Sequence, residues 1–124
     1  MDLNLDLNHQ DFLGRTALHY ACYHSLSKAV EALLLRADAT VLDHENATIL
    51  HSWSLGHDKV YLSGHPGEEH WIRTLMLILD NYKSVGLDIQ HKDSQGETAL
   101  DYLQQRRRRK WLFQLLKDEY LKIE

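Results

Sequence analysis

Histidines offer the first chemical lead. His57, His65 and His70 gather around Asp58 in one short stretch, and imidazoles with a carboxylate are a donor set that zinc accepts. Zinc sites usually draw paired ligands from tight spacings. Here His57 and His65 are eight positions apart with a glycine between them, so composition rather than spacing makes these three residues metal candidates. The alternative is a polar, exposed loop that happens to be rich in histidine. Nucleophilic chemistry finds less. Cys22 and His24 stand two apart, which on a helix points them to different sides. No glycine loop shaped for phosphate and no working pair of carboxylates stands out. The chain reads as a non-enzyme, and no cofactor is assigned to it.

The one strong charge block is RRRRK, Arg106 to Lys110. Such a block suits a nuclear-import signal, a phosphoinositide patch or a nucleic-acid contact. At the start of a helix it opposes the macrodipole, a local cost that hints at a use. The competing reading is a solvated surface on a terminal helix pair. Lys and Arg total 14 against 18 Asp and Glu, a formal charge of −4. The whole molecule is therefore not built to coat DNA or an anionic membrane, and nucleic acid is not the expected partner.

Composition limits the frame that must hold these groups. With 124 residues, 44% hydrophobic and 26% charged, the chain fits one domain with a modest core. Cys22, the lone cysteine, cannot form an internal disulfide, which favours a reducing compartment, cytoplasmic or nuclear. The start, MDLNLDLN, lacks the apolar core of a signal peptide, and the longest apolar run, Leu75 to Leu79, is far too short to span a bilayer. No membrane partner is expected. Asn46-Ala47-Thr48 fits a glycosylation sequon by its letters only, because the compartment argument is against it.

Three segments then align: DFLGRTALHYA from Asp11, DHENATILHSW from Asp43 and DSQGETALDYL from Asp93. Gly14, Asn46 and Gly96 fall where a tight turn needs a positive φ. Thr16, Thr48 and Thr98 follow as helix N-caps, and the apolar residues after each cap turn inward. Thr16 and Thr48 are 32 residues apart, and Thr48 and Thr98 are 50 apart. The shorter interval is close to the ankyrin period of about 33 residues, with its Thr-Pro-Leu-His-x-Ala signature. The chain resembles the ankyrin-repeat family: Thr16 to His19 with Ala21, then Ala29, Val30, the Leu33 to Leu35 run and Ala37-Asp38, follow its pattern, with alanine in place of the usual proline. The glycine usual before Ala37 is missing, so that helix is expected to end on a less ordinary cap.

The resemblance implies an all-α fold, an ankyrin-repeat solenoid of stacked helix-turn-helix pairs joined by short β-hairpin-like loops. One domain over 1–124 would comprise the end of a preceding repeat or an N-terminal cap (1–10), a first repeat (11–42), a second (43–92) and a third serving as C-terminal cap (93–124). His19 and His51 would tie one turn to the next. The long interval implies an insertion in the second repeat, placed at 56–69 by its glycines and proline, with a helix running from about Trp71 to Asn81. Trp53 occupies a position that the family fills with a small residue, which implies a locally opened stack, with the insert folded over the gap.

Solenoids of this kind bind along an open concave face. The family register puts Phe12, Leu13, Arg15, Tyr23, His24, His44, Glu45 and Leu55 on it, with Tyr61 added from the insert. The expected function is protein–protein interaction, as an adaptor or as one part of a longer chain whose other domains could also be partners. The alternative, from a different class, is a metal- or nucleic-acid-responsive element using the histidine loop or the arginine block.

Overall fold

The computed structural model describes residues 6–62, 67–105 and 114, and the side chains of 57–62, 67 and 68 lie outside that description. Five helices follow one another: α1 (Ala17–Tyr23), α2 (Ser27–Leu34), α3 (Ile49–Leu62), α4 (Gly67–Val85) and α5 (Ala99–Gln104). No strand occurs among the described residues. The fold is all-α, as the aligned segments led one to expect.

Helices α1, α3 and α5 are each entered through the same turn. The carboxylates of Asp11, Asp43 and Asp93 each accept, on Oδ1, the N–H groups two and four residues further on, at 2.8–3.0 Å. A short side-chain acceptor just ahead of a turn closes it in this way. Gly14, Asn46 and Gly96 take φ of 80°, 62° and 78° inside these turns, the left-handed conformation that their residue types tolerate best. The caps come next. Thr16 accepts from the His19 N–H and receives the side chain of His19 on its own N–H, a reciprocal capping box that Thr98 and Asp101 repeat at α5.

His19 and His51 use one tautomer. The Thr16 and Thr48 N–H groups donate to Nδ1 of the following histidine, both at 3.2 Å. The proton then sits on Nε2, which donates to Ala47 O at 3.3 Å from His19 and to Glu97 O at 2.9 Å from His51. Each imidazole thus caps its own helix and ties it to the next turn. Burial pushes the His19 pKa below its ordinary value, which suits a neutral ring in this role.

Leu18, Cys22, Val30, Leu34, Ile49, Leu50, Leu75, Ile78, Ala99, Leu100 and Leu103 form one continuous core with Trp53 and Trp71. The two tryptophans are fully buried and stacked, with ring centroids 4.3 Å apart and planes 12° from parallel. Their bonds are reciprocal: Trp53 Nε1 donates to Trp71 O at 2.8 Å, and Trp71 Nε1 donates to Trp53 O at 3.3 Å. The large residue at position 53 is therefore accommodated by a second indole from α4. Both indole N–H groups find partners despite burial, as buried indoles usually do.

The irregular stretch expected over 56–69 is mostly helical. α3 continues through Leu62 and α4 begins at Gly67, well before Trp71, and runs on to Val85. Only 63–66 separate them, outside the described residues. A glycine inside a helix can mark a close approach as well as a break, and Gly56 marks an approach. A Cβ there would lie 1.9 Å from the Tyr23 carbonyl oxygen, so Gly56 is where α3 rests on the end of α1.

Helix ends explain the remaining turns. α1 closes with Ser25 at φ 56°, its N–H bonded to Cys22 O and the Leu26 N–H to Ala21 O, the pattern of a Schellman cap with serine where glycine is usual. α2 ends without a glycine, through Arg36 and Ala37 N–H groups that share Leu33 O. The less ordinary cap expected before Ala37 is present.

Candidate protein-binding face

The turns stack on one another. His44 N–H donates to Leu13 O at 3.0 Å and Ser94 N–H donates to Glu45 O at 2.9 Å, so the three turn tips form a ladder. Phe12, next to the first of these contacts, is 85% exposed. Leu13 and Leu55 are partly open at 40% and 39%. His44 and Glu45 are exposed on the second tip, and His24 is exposed at the end of α1. The half-buried Tyr23 ring meets His24 edge-on, with centroids 5.0 Å apart. Of the residues read from sequence as this face, Tyr61 has its side chain outside the described residues.

Arg15, Tyr23 and Leu55 also line a shallow cleft between α1 and α3, together with His19, Tyr20, Asp43, Ala47 and Ser52. Tyr20, Asp43 and Ser52 escaped the sequence reading. A signal existed: a tyrosine follows the turn aspartate by nine positions at Tyr20 and again at Tyr102. The Tyr20 phenol donates to Asp11 Oδ2, and Tyr102 donates to Asp93 Oδ2 at 2.5 Å.

These bonds set the charge of the face. The phenol of Tyr20 holds the Asp11 carboxyl below the usual carboxylate range, and the bond in turn raises the phenol. Burial alone would raise the Asp93 carboxyl, but the Tyr102 phenol and the Glu97 and Gln95 N–H groups outweigh it and bring it down. Tyr102 is pushed up by burial and by Asp93. Asp43 has a different neighbour: its Oδ2 lies 3.7 Å from Arg15 Nε, and the Arg15 guanidinium sits 5.9 Å from the Tyr20 ring centre.

The ankyrin-repeat family model matches residues 13–47, from the first turn tip through α1 and α2 to the close of the second turn. Over that stretch the chain is similar to the ankyrin-repeat family. No curated protein matches the chain. Ankyrin repeats generally mediate protein–protein contacts and are typically non-enzymatic.

His70 Nδ1 lies 3.3 Å from Ser27 Oγ, while the side chains of His57 and His65 fall outside the described residues. Among the described residues no group of three His, Cys, Asp or Glu side chains could hold a metal ion. The Arg106–Lys110 block also lies outside them. Cys22 is fully buried, and burial pushes its thiol upward, away from the thiolate that nucleophilic chemistry needs. No helix of the described residues is long and apolar enough to cross a membrane.

Proposed function

We propose that this ankyrin-repeat chain is a protein-recognition module, stacked as three turn-and-helix units over 11–42, 43–92 and 93–124. It contacts its partner through the turn tips and the α1–α3 cleft. Phe12, Leu13, Tyr23 and Leu55 are the apolar anchors, with Arg15, His24, His44 and Glu45 as the polar rim. The observation that carries this reading is Phe12, a large aromatic side chain 85% exposed on a fixed turn. A rigid backbone holding an open aromatic group is the usual form of an interface anchor, and Leu13 and Leu55 add apolar surface on the same two units. The module acts as an adaptor or as one part of a longer chain, in the cytoplasm or nucleus.

Selection of a displayed random-peptide library on the chain tests the reading. Changing Phe12→Ser together with Tyr23→Ala should weaken the selected peptides by at least about 2 kcal/mol while circular dichroism keeps its helical signal. Peptides that bind the double variant with unchanged affinity would remove this face from the binding site.

A further inference from the structure

Size matching governs how the turn tips meet. At the first contact the ring of His44 lies over Gly14, where an added Cβ would run into the His44 ring and backbone, and the His44 N–H donates to Leu13 O. At the second contact Asn46 takes the place of the glycine, and the residue that meets the tip is the small Ser94, whose N–H donates to Glu45 O. The His91 imidazole adds a grip there, with Nε2 donating to Asn46 O at 3.0 Å. A glycine receives a ring and an asparagine receives a serine, because a Cβ and a ring compete for the same space.

The outer edges of the ladder carry the same parts, unused. On the third tip Gly96 is exposed, and a Cβ there would meet nothing within 4 Å. Among the described residues no backbone N–H donates to Gln95 O or Gly96 O. On the first tip Phe12 stands where His44 and Ser94 stand, one place after the turn aspartate. Its ring is 85% exposed, and its N–H has no backbone acceptor among the described residues. His9 stands where His91 stands, two places before the aspartate, and is exposed. Ala17 is exposed as well, whereas its counterparts Ile49 and Ala99 are buried, so the uncovered edge continues onto α1.

We infer that the chain associates head to tail with a second copy of itself, Phe12 of one copy lying over Gly96 of the other. The Phe12 N–H then donates to Gln95 O and His9 to Gly96 O, as Ser94 and His91 donate to Glu45 O and Asn46 O within one chain. The inference rests on the reading of Phe12 as a protein-contact anchor and names its partner. An open ring at one edge and an open glycine at the other repeat the pairing of His44 with Gly14. The two surfaces differ, so each added copy leaves one edge open and growth does not close.

Sedimentation velocity on the whole chain tests this. The sedimentation coefficient should climb with concentration and pass the dimer value. Phe12→Ser removes the ring, and Gly96→Asn places a Cβ beneath it; Asn46, at φ 62° in the equivalent place, shows that the turn accepts asparagine. Each variant alone should associate about 10-fold or more weakly. Their equimolar mixture should recover association, because Phe12 of one variant meets Gly96 of the other. A chain that stays monomeric up to about 1 mM, association untouched by Gly96→Asn, or a mixture no stronger than either variant overturns the contact. If Gly96→Asn loses its helical dichroism, the amide resonances of Gln95 and Gly96 decide: they should move with concentration in the unaltered chain and stand still in Phe12→Ser, and equal movement in both overturns the contact. Library-selected peptides separate the two readings. Peptides that weaken on the Phe12→Ser, Tyr23→Ala protein, from a chain that stays monomeric, retain the face and overturn the head-to-tail contact. Peptides indifferent to the double variant, from a chain that stays monomeric, remove both.

Discussion

Gly56 shows how a single residue can carry opposite signs in different settings. On an isolated helix, glycine to alanine gains up to about 1 kcal/mol from propensity. Here the new Cβ would sit 1.9 Å from the Tyr23 carbonyl oxygen and 2.7 Å from its carbon, an overlap with backbone that no side-chain rotation relieves. Overpacking of this kind costs about 1–3 kcal/mol, and the propensity gain offsets only part of it. Gly56→Ala should therefore lower stability by roughly 1–2 kcal/mol, read as a lower urea midpoint at unchanged slope. A more stable alanine variant would mean that α3 does not rest on α1 at this point. The sequence alone displayed the glycine and hid its reason, because the reason is a contact with a residue 33 positions away. Gly14, Asn46, Gly96 and the three threonines were legible because their work is finished within a few residues of their own backbone.

Helices α3 and α4 were the elements that sequence patterning drew too short. Glycines, a proline and scattered histidines obscured the apolar period, and the 50-residue interval between Thr48 and Thr98 invited a loop. Helix extension takes up most of it instead, with α3 at 14 residues and α4 at 19. Trp71, near the start of α4, is the residue that binds the two together through its partner indole. Trp71→Ala should cost about 3–5 kcal/mol, as expected for a fully buried large ring. Trp71→Phe should lose less, since a ring remains and the main deficit is the bond to Trp53 O, about 0.5–1.5 kcal/mol, plus some volume. Thermal denaturation of the pair checks this order. Equal losses for the two variants would show that ring packing contributes little beyond the hydrogen bond. α1, α2 and α5 were easier to read because turn, cap and apolar run follow one another without interruption.

Across the whole molecule, stability is linked to pH through the groups that join one turn to the next. The pKa of His19 lies below its ordinary 6.5 because burial disfavours the charged ring. The unfolded chain therefore takes up this proton before the folded one does. The contribution of His19 is complete above pH about 6.5 and declines as pH falls from there toward its folded value. Asp11, Asp38 and Asp93, held below their ordinary 3.8, lose their contributions only in more acid solution. Urea midpoints should fall between pH 7 and 5, and His19→Gln should flatten part of that slope. An identical slope in the variant would show that the His19 proton is not linked to folding. Nearest-neighbour stacking makes the melting of α3 against α4 a step of its own interest, and the paired indoles report on it directly. Two near-parallel chromophores at 4.3 Å couple their electronic transitions, so the folded chain should carry a two-signed far-ultraviolet dichroism band of tryptophan origin. That band disappears when the rings part, whatever happens to the helices around them, and it gives the α3–α4 pair an optical signature separable from the helical signal of the rest.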